Sequence, residues 1–345
     1  MSSRDAAPKA VIFGCAGPEL SRAERDFFAE ADPAGFILFQ RNCVEPEQVR
    51  ALVASLKSAS GRTDLPILID QEGGRVQRLK PPHWRAAPAA RRFGDLARRD
   101  LAAGKRAAWI NARLIAAELA SLGISVDCAP VLDRPVAGAH AVIGDRAYGD
   151  TPALIIELAR SAAEGFMAGG VLPVIKHLPG HGRATVDSHE HCPTVTADAA
   201  TLAASDLPPF QALADLPIGL TAHIVFTAWD AERPATLSPR IIRDIIRGEI
   251  GFDGLLLSDD LNMKALGGTL GERASRALAA GCDLALHCNG NLDEMVEVAA
   301  ATRSLDASGL RRYRAALARR RPAEPVDEAA LKIELDRLLD NEAAA

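Results

Sequence analysis

The sequence has no apolar run long enough to cross a bilayer, which takes about 20 residues. It has no excess of basic charge either. A net charge of −5 offers nothing of the basic face that nucleic acid requires. Its six cysteines, Cys15, Cys43, Cys128, Cys192, Cys282 and Cys288, include no CxxC pair. A chain of 345 residues with 48% hydrophobic content builds a core without a disulfide framework, so free thiols in a reducing cytoplasm are expected. The apolar run at 10–17 lacks a small-residue cleavage site and is followed by charged residues, which argues against a secretory signal. The stretch before "IFGC" is too short for lipoprotein attachment. "GCAGPE" is a poor GxGxxG, which counts against a doubly wound dinucleotide fold. No internal repeat and no compositional break marks a second domain.

What is present is a regular alternation. Short continuous apolar runs recur at 10–17, 35–39, 66–70, 124–130, 172–177, 218–224, 254–259 and 283–288. Continuous rather than alternating apolar character suits strands buried on both faces of a parallel sheet. Amphipathic segments of helical period lie between them, near 19–31, 46–59, 97–122, 153–168, 197–214, 239–249, 269–280 and 291–304. Eight strand–helix units predict an α/β fold, a single-domain (β/α)8 TIM barrel spanning 1–305. The remainder, 306–345, predicts extra C-terminal helices with solvated charged faces.

The predicted strand ends are polar, and the C-terminal ends of barrel strands are where chemistry sits. Strand three ends in Asp70, strand four runs through Asp127, and strand five ends in Lys176 and His177. Strand six contains His223, strand seven ends in Asp259 and Asp260, and strand eight carries His287 and Asn289. Ionisable groups at buried strand ends are costly unless paired or used, so six converging ends predict a site at that rim. Side chains alternate along a strand, so Asp259 is expected to point toward the mouth and Asp260 elsewhere. Four of the eight histidines crowd into "KHLPGHGRATVDSHEH", where proline and glycine make a loop. Within it Asp187 and His189 are two apart, a spacing that lets a carboxylate orient an imidazole and stabilise its protonated form. "DQEGGRVQRL" offers Asp70 and Arg78 for gripping a hydroxyl-rich ligand, with Gly73 and Gly74 permitting a tight turn. Arg146 in "IGDRAYG" either reaches the site or pairs with Asp145 or Asp150.

These residues alone leave several chemistries open. Metal-dependent hydrolysis would use clustered histidines, although Pro179 and Gly180 prevent His177 and His181 from forming a helical i, i+4 ligand pair. Glycosidic cleavage would need a nucleophile such as Asp259 and a proton donor such as His189. Lys176 would serve an amine-based aldol or isomerase mechanism, and a barrel that only binds is a further alternative.

The motifs "IKHLPGHGRATVDSH", "DQEGGRVQRL", "IGDRAYG" and "GFDGLLLSDDLNMKAL" together resemble glycoside hydrolase family 3. The resemblance runs from about residue 10 to 305. It is to the short, single-domain bacterial β-N-acetylglucosaminidases of cell-wall recycling, the NagZ type. It implies a (β/α)8 barrel, Asp259 as nucleophile, and His189 paired with Asp187 as acid/base. It implies that Asp70, Arg78, Arg146, Lys176 and His177 bind N-acetylglucosamine, and His223, at the end of strand six, is expected among the substrate-binding residues as well. The implied activity is retaining removal of terminal β-linked N-acetylglucosamine from muropeptides ending in 1,6-anhydro-N-acetylmuramic acid. The resemblance implies no metal or organic cofactor; charge and the lack of a spanning run predict no nucleic-acid or membrane partner, the cysteines predict a cytoplasmic location, and a monomer is expected. His181 is expected to brace the loop through hydrogen bonds and His191 to be solvated.

Overall fold

The computed structural model describes residues 7–188 and 191–340. Eight strands close a barrel in chain order, each parallel to its neighbours. They are β1 (Lys9–Phe13), β2 (Pro33–Leu38), β3 (Ile67–Ile69), β4 (Val126–Asp127), β5 (Leu172–Leu178), β6 (Ile218–Thr221), β7 (Leu255–Asp260) and β8 (Leu284–His287). The seam closes between β1 and β8, where Val11 faces Ala285 and Phe13 faces His287. Every strand falls on one of the apolar runs. Five of them, β1, β3, β4, β6 and β8, are shorter than their runs because chain at the mouth leaves the ladder; in the fourth, Pro130 lacks the N–H that further pairing would need.

The helices follow local rules. Helix α1 (Arg22–Ala31) starts at a capping box in which Ser21 and Glu24 satisfy each other's backbone N–H. Helix α2 (Pro46–Ser60) opens on proline and stops at Gly61, whose φ of 65° is left-handed. The segment expected as one helix at 97–122 differs. Helix α3 (Ala90–Ala97) precedes it, and α4 (Leu101–Ser121) begins where the Asp100 carboxylate accepts from the Ala103 N–H. The cap restarts the chain in a new direction. Helix α5 (Pro152–Ala168) matches its prediction. The segment at 197–214 is two short helices, α6 (Ala199–Ser205) and α7 (Pro208–Ala212), because Pro208 and Pro209 cannot donate to a continuous helix. Residues Ile241–Glu249 form a π-helix, followed by α8 (Leu270–Ala280) and α9 (Leu292–Ala301).

The tail packs on the barrel. Helix α10 (Ala307–Ala318) sends the Tyr313 hydroxyl to the Ala34 carbonyl at 2.8 Å. Helix α11 (Glu328–Asp340) lies against α4, burying Leu331, Leu335 and Leu339, while Arg106 grips Glu334 with two bonds of 2.8 Å. All six cysteines are free. Among the described residues, no helix is long and apolar enough to cross a membrane.

Candidate active site

At the C-terminal end of β3 the chain turns back in a small hairpin, Gln71–Gly73 against Val76–Gln77. Gly73 and Gly74 have φ of 99° and 56°, and a Cβ on Gly73 would sit 2.3 Å from the Pro88 carbonyl. The turn therefore requires glycine. It aims two carboxylates at Lys176 on β5 and at Arg78 and Arg146 on the connections beside it. Asp70 accepts from Lys176 Nζ at 3.0 Å and from Arg78 Nη2 at 2.9 Å. Glu72 takes a two-pronged bond from Arg146, both arms 2.8 Å, and lies 2.6 Å from Lys176 Nζ. Lys176 thus bridges both acids. Arg146 reaches the cluster, while Asp145 and Asp150 pair instead with Arg75 and Arg98.

The electrostatics follow from burial. Burial alone would raise both carboxyls, but Lys176 and Arg78 hold Asp70 well below the usual carboxylate range. Against the same burial, Arg146 and Lys176 hold Glu72 down to about 2. The two acids outweigh burial to raise Lys176. Asp127, beneath them on β4, has no cation in hydrogen-bonding contact, and burial pushes it up to about 8. It is therefore neutral at pH 7 and leaves the cluster with three cations around two carboxylates. Such a fixed array of donors and acceptors suits neutral sugar hydroxyls.

Glu72 was not singled out by the sequence reading, although residues two apart in extended chain share a face, and Asp70 was already a candidate. Its removal has a large expected cost. Glu72→Gln leaves Arg146 and Lys176, whose side chains are 11% and 4% exposed, short of a counter-charge. Breaking a buried ion pair costs about 3–5 kcal/mol. Thermal denaturation should show the variant clearly destabilised, and an unchanged melting temperature would contradict the counter-ion role.

The end of β5 carries the histidines. His177 Nδ1 lies 2.6 Å from Asp133 Oδ2, and its backbone N–H reaches Asp133 Oδ1 at 3.2 Å. Asp133 is fully buried, and His177 and His181 outweigh that burial to keep its carboxyl ionised. Asp133 is the second residue that sequence reasoning missed. The loop then turns over Gly180 and Gly182; a Cβ on Gly182 would be 1.8 Å from the Arg134 carbonyl. His181 bonds Ser188 through Nε2 at 3.0 Å, the bracing expected of it. His189 lies outside the described residues; Asp187 lies within them. The Asp187 carbonyl accepts from the His191 N–H at 3.0 Å. His191 is exposed.

Asp259 and Asp260 end β7, and they separate as strand alternation requires. Asp260 turns toward β8, where its Oδ1 accepts from the Asn262 and Cys288 N–H groups at 3.1 and 3.2 Å. Burial, then repulsion from Asp259, lifts it to about 6 despite those bonds. The Asp260 N–H donates to Asp259 Oδ1 at 2.8 Å, fixing that carboxylate at the rim. Its charge acts on His181 and His223. His223 is fully buried, with Nδ1 2.8 Å from Thr236 Oγ1 and Nε2 3.0 Å from the Asp260 carbonyl. Both ring nitrogens are used within the protein, so His223 supports the β7 end rather than opening to the mouth. His287 and Asn289 are tied to Glu294. Among the described residues, no three His, Cys, Asp or Glu side chains are gathered in a way that could hold a metal ion.

The model for the Glycosyl hydrolase family 3 N terminal domain matches residues 9–316. The chain belongs to that family. It is therefore a glycoside hydrolase, built as a (β/α)8 barrel. It is 40% identical over 282 residues to a Beta-hexosaminidase of Methylococcus capsulatus, covering 81% of this chain and 82% of that protein. The structure superposes on NagZ from Neisseria gonorrhoeae in complex with N-trifluoroacetyl-D-glucosamine with a TM-score of 0.84 at 31% identity, covering 97% of each chain. A family 3 β-N-acetylglucosaminidase from Paenibacillus gives a TM-score of 0.83 at 32% identity, over 95% of this chain and 66% of that longer one.

Proposed function

We propose that this family 3 hydrolase is a retaining exo-β-N-acetylglucosaminidase. The observation that carries the proposal is the presence, on one barrel rim, of a preorganised cluster of paired cations and carboxylates together with the Asp259 carboxylate at the end of β7. Asp70, Arg78, Arg146, Lys176 and His177 hold the terminal N-acetylglucosamine, and His223 steadies the strand end behind it. Asp259 attacks the anomeric carbon as His189, oriented by Asp187, protonates the departing oxygen. Water then attacks the glycosyl-enzyme with His189 as base. Two displacements at one carbon retain its configuration. The relatives' names, and the glucosamine derivative bound by one of them, support the sugar. The natural substrate on this reading is a muropeptide with N-acetylglucosamine on 1,6-anhydro-N-acetylmuramic acid. It would be cleaved in the cytoplasm during peptidoglycan recycling, by a monomer.

Initial rates on aryl β-N-acetylglucosaminide and aryl β-glucoside, with and without EDTA, test the class. Release from the N-acetylglucosaminide alone, unaltered by the chelator, is the expected result. Loss of activity in EDTA that zinc restores would favour metal-assisted hydrolysis. Activity on neither sugar would remove the proposed specificity.

A further inference from the structure

We infer that His181 is a positioning residue that latches the acid/base loop through Ser188 and ties that loop to the sugar-binding end of β5. The inference rests on the proposed role of His189.

The loop leaving β5 is pinned early and held again late. The Val136 N–H bonds the Gly182 carbonyl at 3.2 Å, and the His140 N–H bonds that of Ala184 at 2.8 Å. Arg183 Nε meets both Asp206 oxygens at 3.0 and 2.8 Å. Beyond Ala184 the chain runs out through Thr185, Val186 and Asp187. It returns at Ser188, which is only 2% exposed and sits against His181, itself 3% exposed. Ser188 lies between Asp187 and His189 in sequence, so a bond to its side chain holds the chain at the point where the two meet.

His181 suits this task. Burial first, and then the neighbouring His177, push its ring down to about 4, so it is neutral at pH 7 with a single ring proton. Its Nδ1 is buried and has no partner among the described residues. An unpaired acceptor is tolerated better than an unpaired N–H, which puts the proton on Nε2, donated to Ser188 Oγ. The opposite end of the residue is anchored as firmly: its backbone N–H donates to Asp133 Oδ1 at 2.6 Å. The other oxygen of Asp133 holds His177 Nδ1. One buried carboxylate therefore sets both the imidazole that meets the sugar and the base of the latch. The two rings stand edge to face, 5.3 Å apart. No step of the proposed reaction uses His181, Asp133 or Ser188 directly; they place groups that do.

The test pairs His181→Leu and Ser188→Ala with the conservative His181→Gln and Ser188→Thr, and with His189→Ala as reference. Misplacement by about 1 Å can cost about 100-fold. The two disruptive variants should therefore lose about 10- to 100-fold in kcat on a disaccharide and under about 3-fold on the dinitrophenyl glycoside. KM should change little, and the conservative variants should recover most of the loss. The double variant His181→Leu/Ser188→Ala should be no worse than either single one. Hydrogen exchange across 185–191 should quicken in both disruptive variants. Equal losses on the two substrates, additive losses, or unchanged exchange would each overturn the latch. Faster exchange together with a His189→Ala variant indifferent to the leaving group would keep the latch and overturn the acid/base reading.

Discussion

Asp259→Ala should lower turnover by on the order of 10⁴-fold or more while the protein melts as the wild type does, because on the proposed mechanism it removes the bond-forming atom rather than a contact. The carboxylate is partly exposed at the end of β7, so its loss leaves no buried cavity. Its neighbour cannot replace it. Asp260 Oδ1 is engaged by the Asn262 and Cys288 N–H groups, and its carboxylate is turned toward β8. The remaining space at Asp259 admits a small anion. Azide added to the alanine variant, with an activated aryl N-acetylglucosaminide, should therefore restore cleavage and give the α-glycosyl azide. One displacement in place of two inverts the anomeric carbon. Undiminished hydrolysis by Asp259→Ala, or a β-configured azide product, would remove Asp259 from the role of nucleophile.

The barrel was legible because its information is local and repeated. Runs such as "GFILF" and "GLLLSD" are apolar on both faces, and only a sheet buried on both sides uses such strands. Strand ends were equally readable, since an ionisable residue closing an apolar run stands out. What escaped were partners supplied by connections. Glu72 lies in a two-residue-per-face hairpin, and Asp133 follows β4 in irregular chain; neither closes a hydrophobic run. Their importance arises from closure of the barrel, which brings β3, β4 and β5 side by side and sets Glu72 against Lys176 at 2.6 Å. Helix boundaries failed for a different reason. Periodicity persists through Asp100 and through Pro208, but the cap and the missing N–H groups decide where hydrogen bonding stops. The role of His223 was misleading in sequence because a histidine near a strand end reads as a ligand contact. Burial and the Thr236 bond give it an internal one.

His189→Ala should divide substrates by leaving group. With an aryl oxide stable as an anion, bond breaking needs little protonation, so the glycosylation step should slow only modestly. A sugar leaving group must be protonated as it departs, and loss of a positioned acid there costs about 10²- to 10⁴-fold. The second displacement also loses its base, so the variant should accumulate glycosyl-enzyme with the dinitrophenyl substrate and show a burst of phenolate. Asp187→Asn should show the same division to a smaller degree, because the amide keeps a hydrogen-bonding partner but no longer stabilises the imidazolium. Loss of equal size on both leaving groups in His189→Ala, with no burst, would mean that the proton comes from elsewhere.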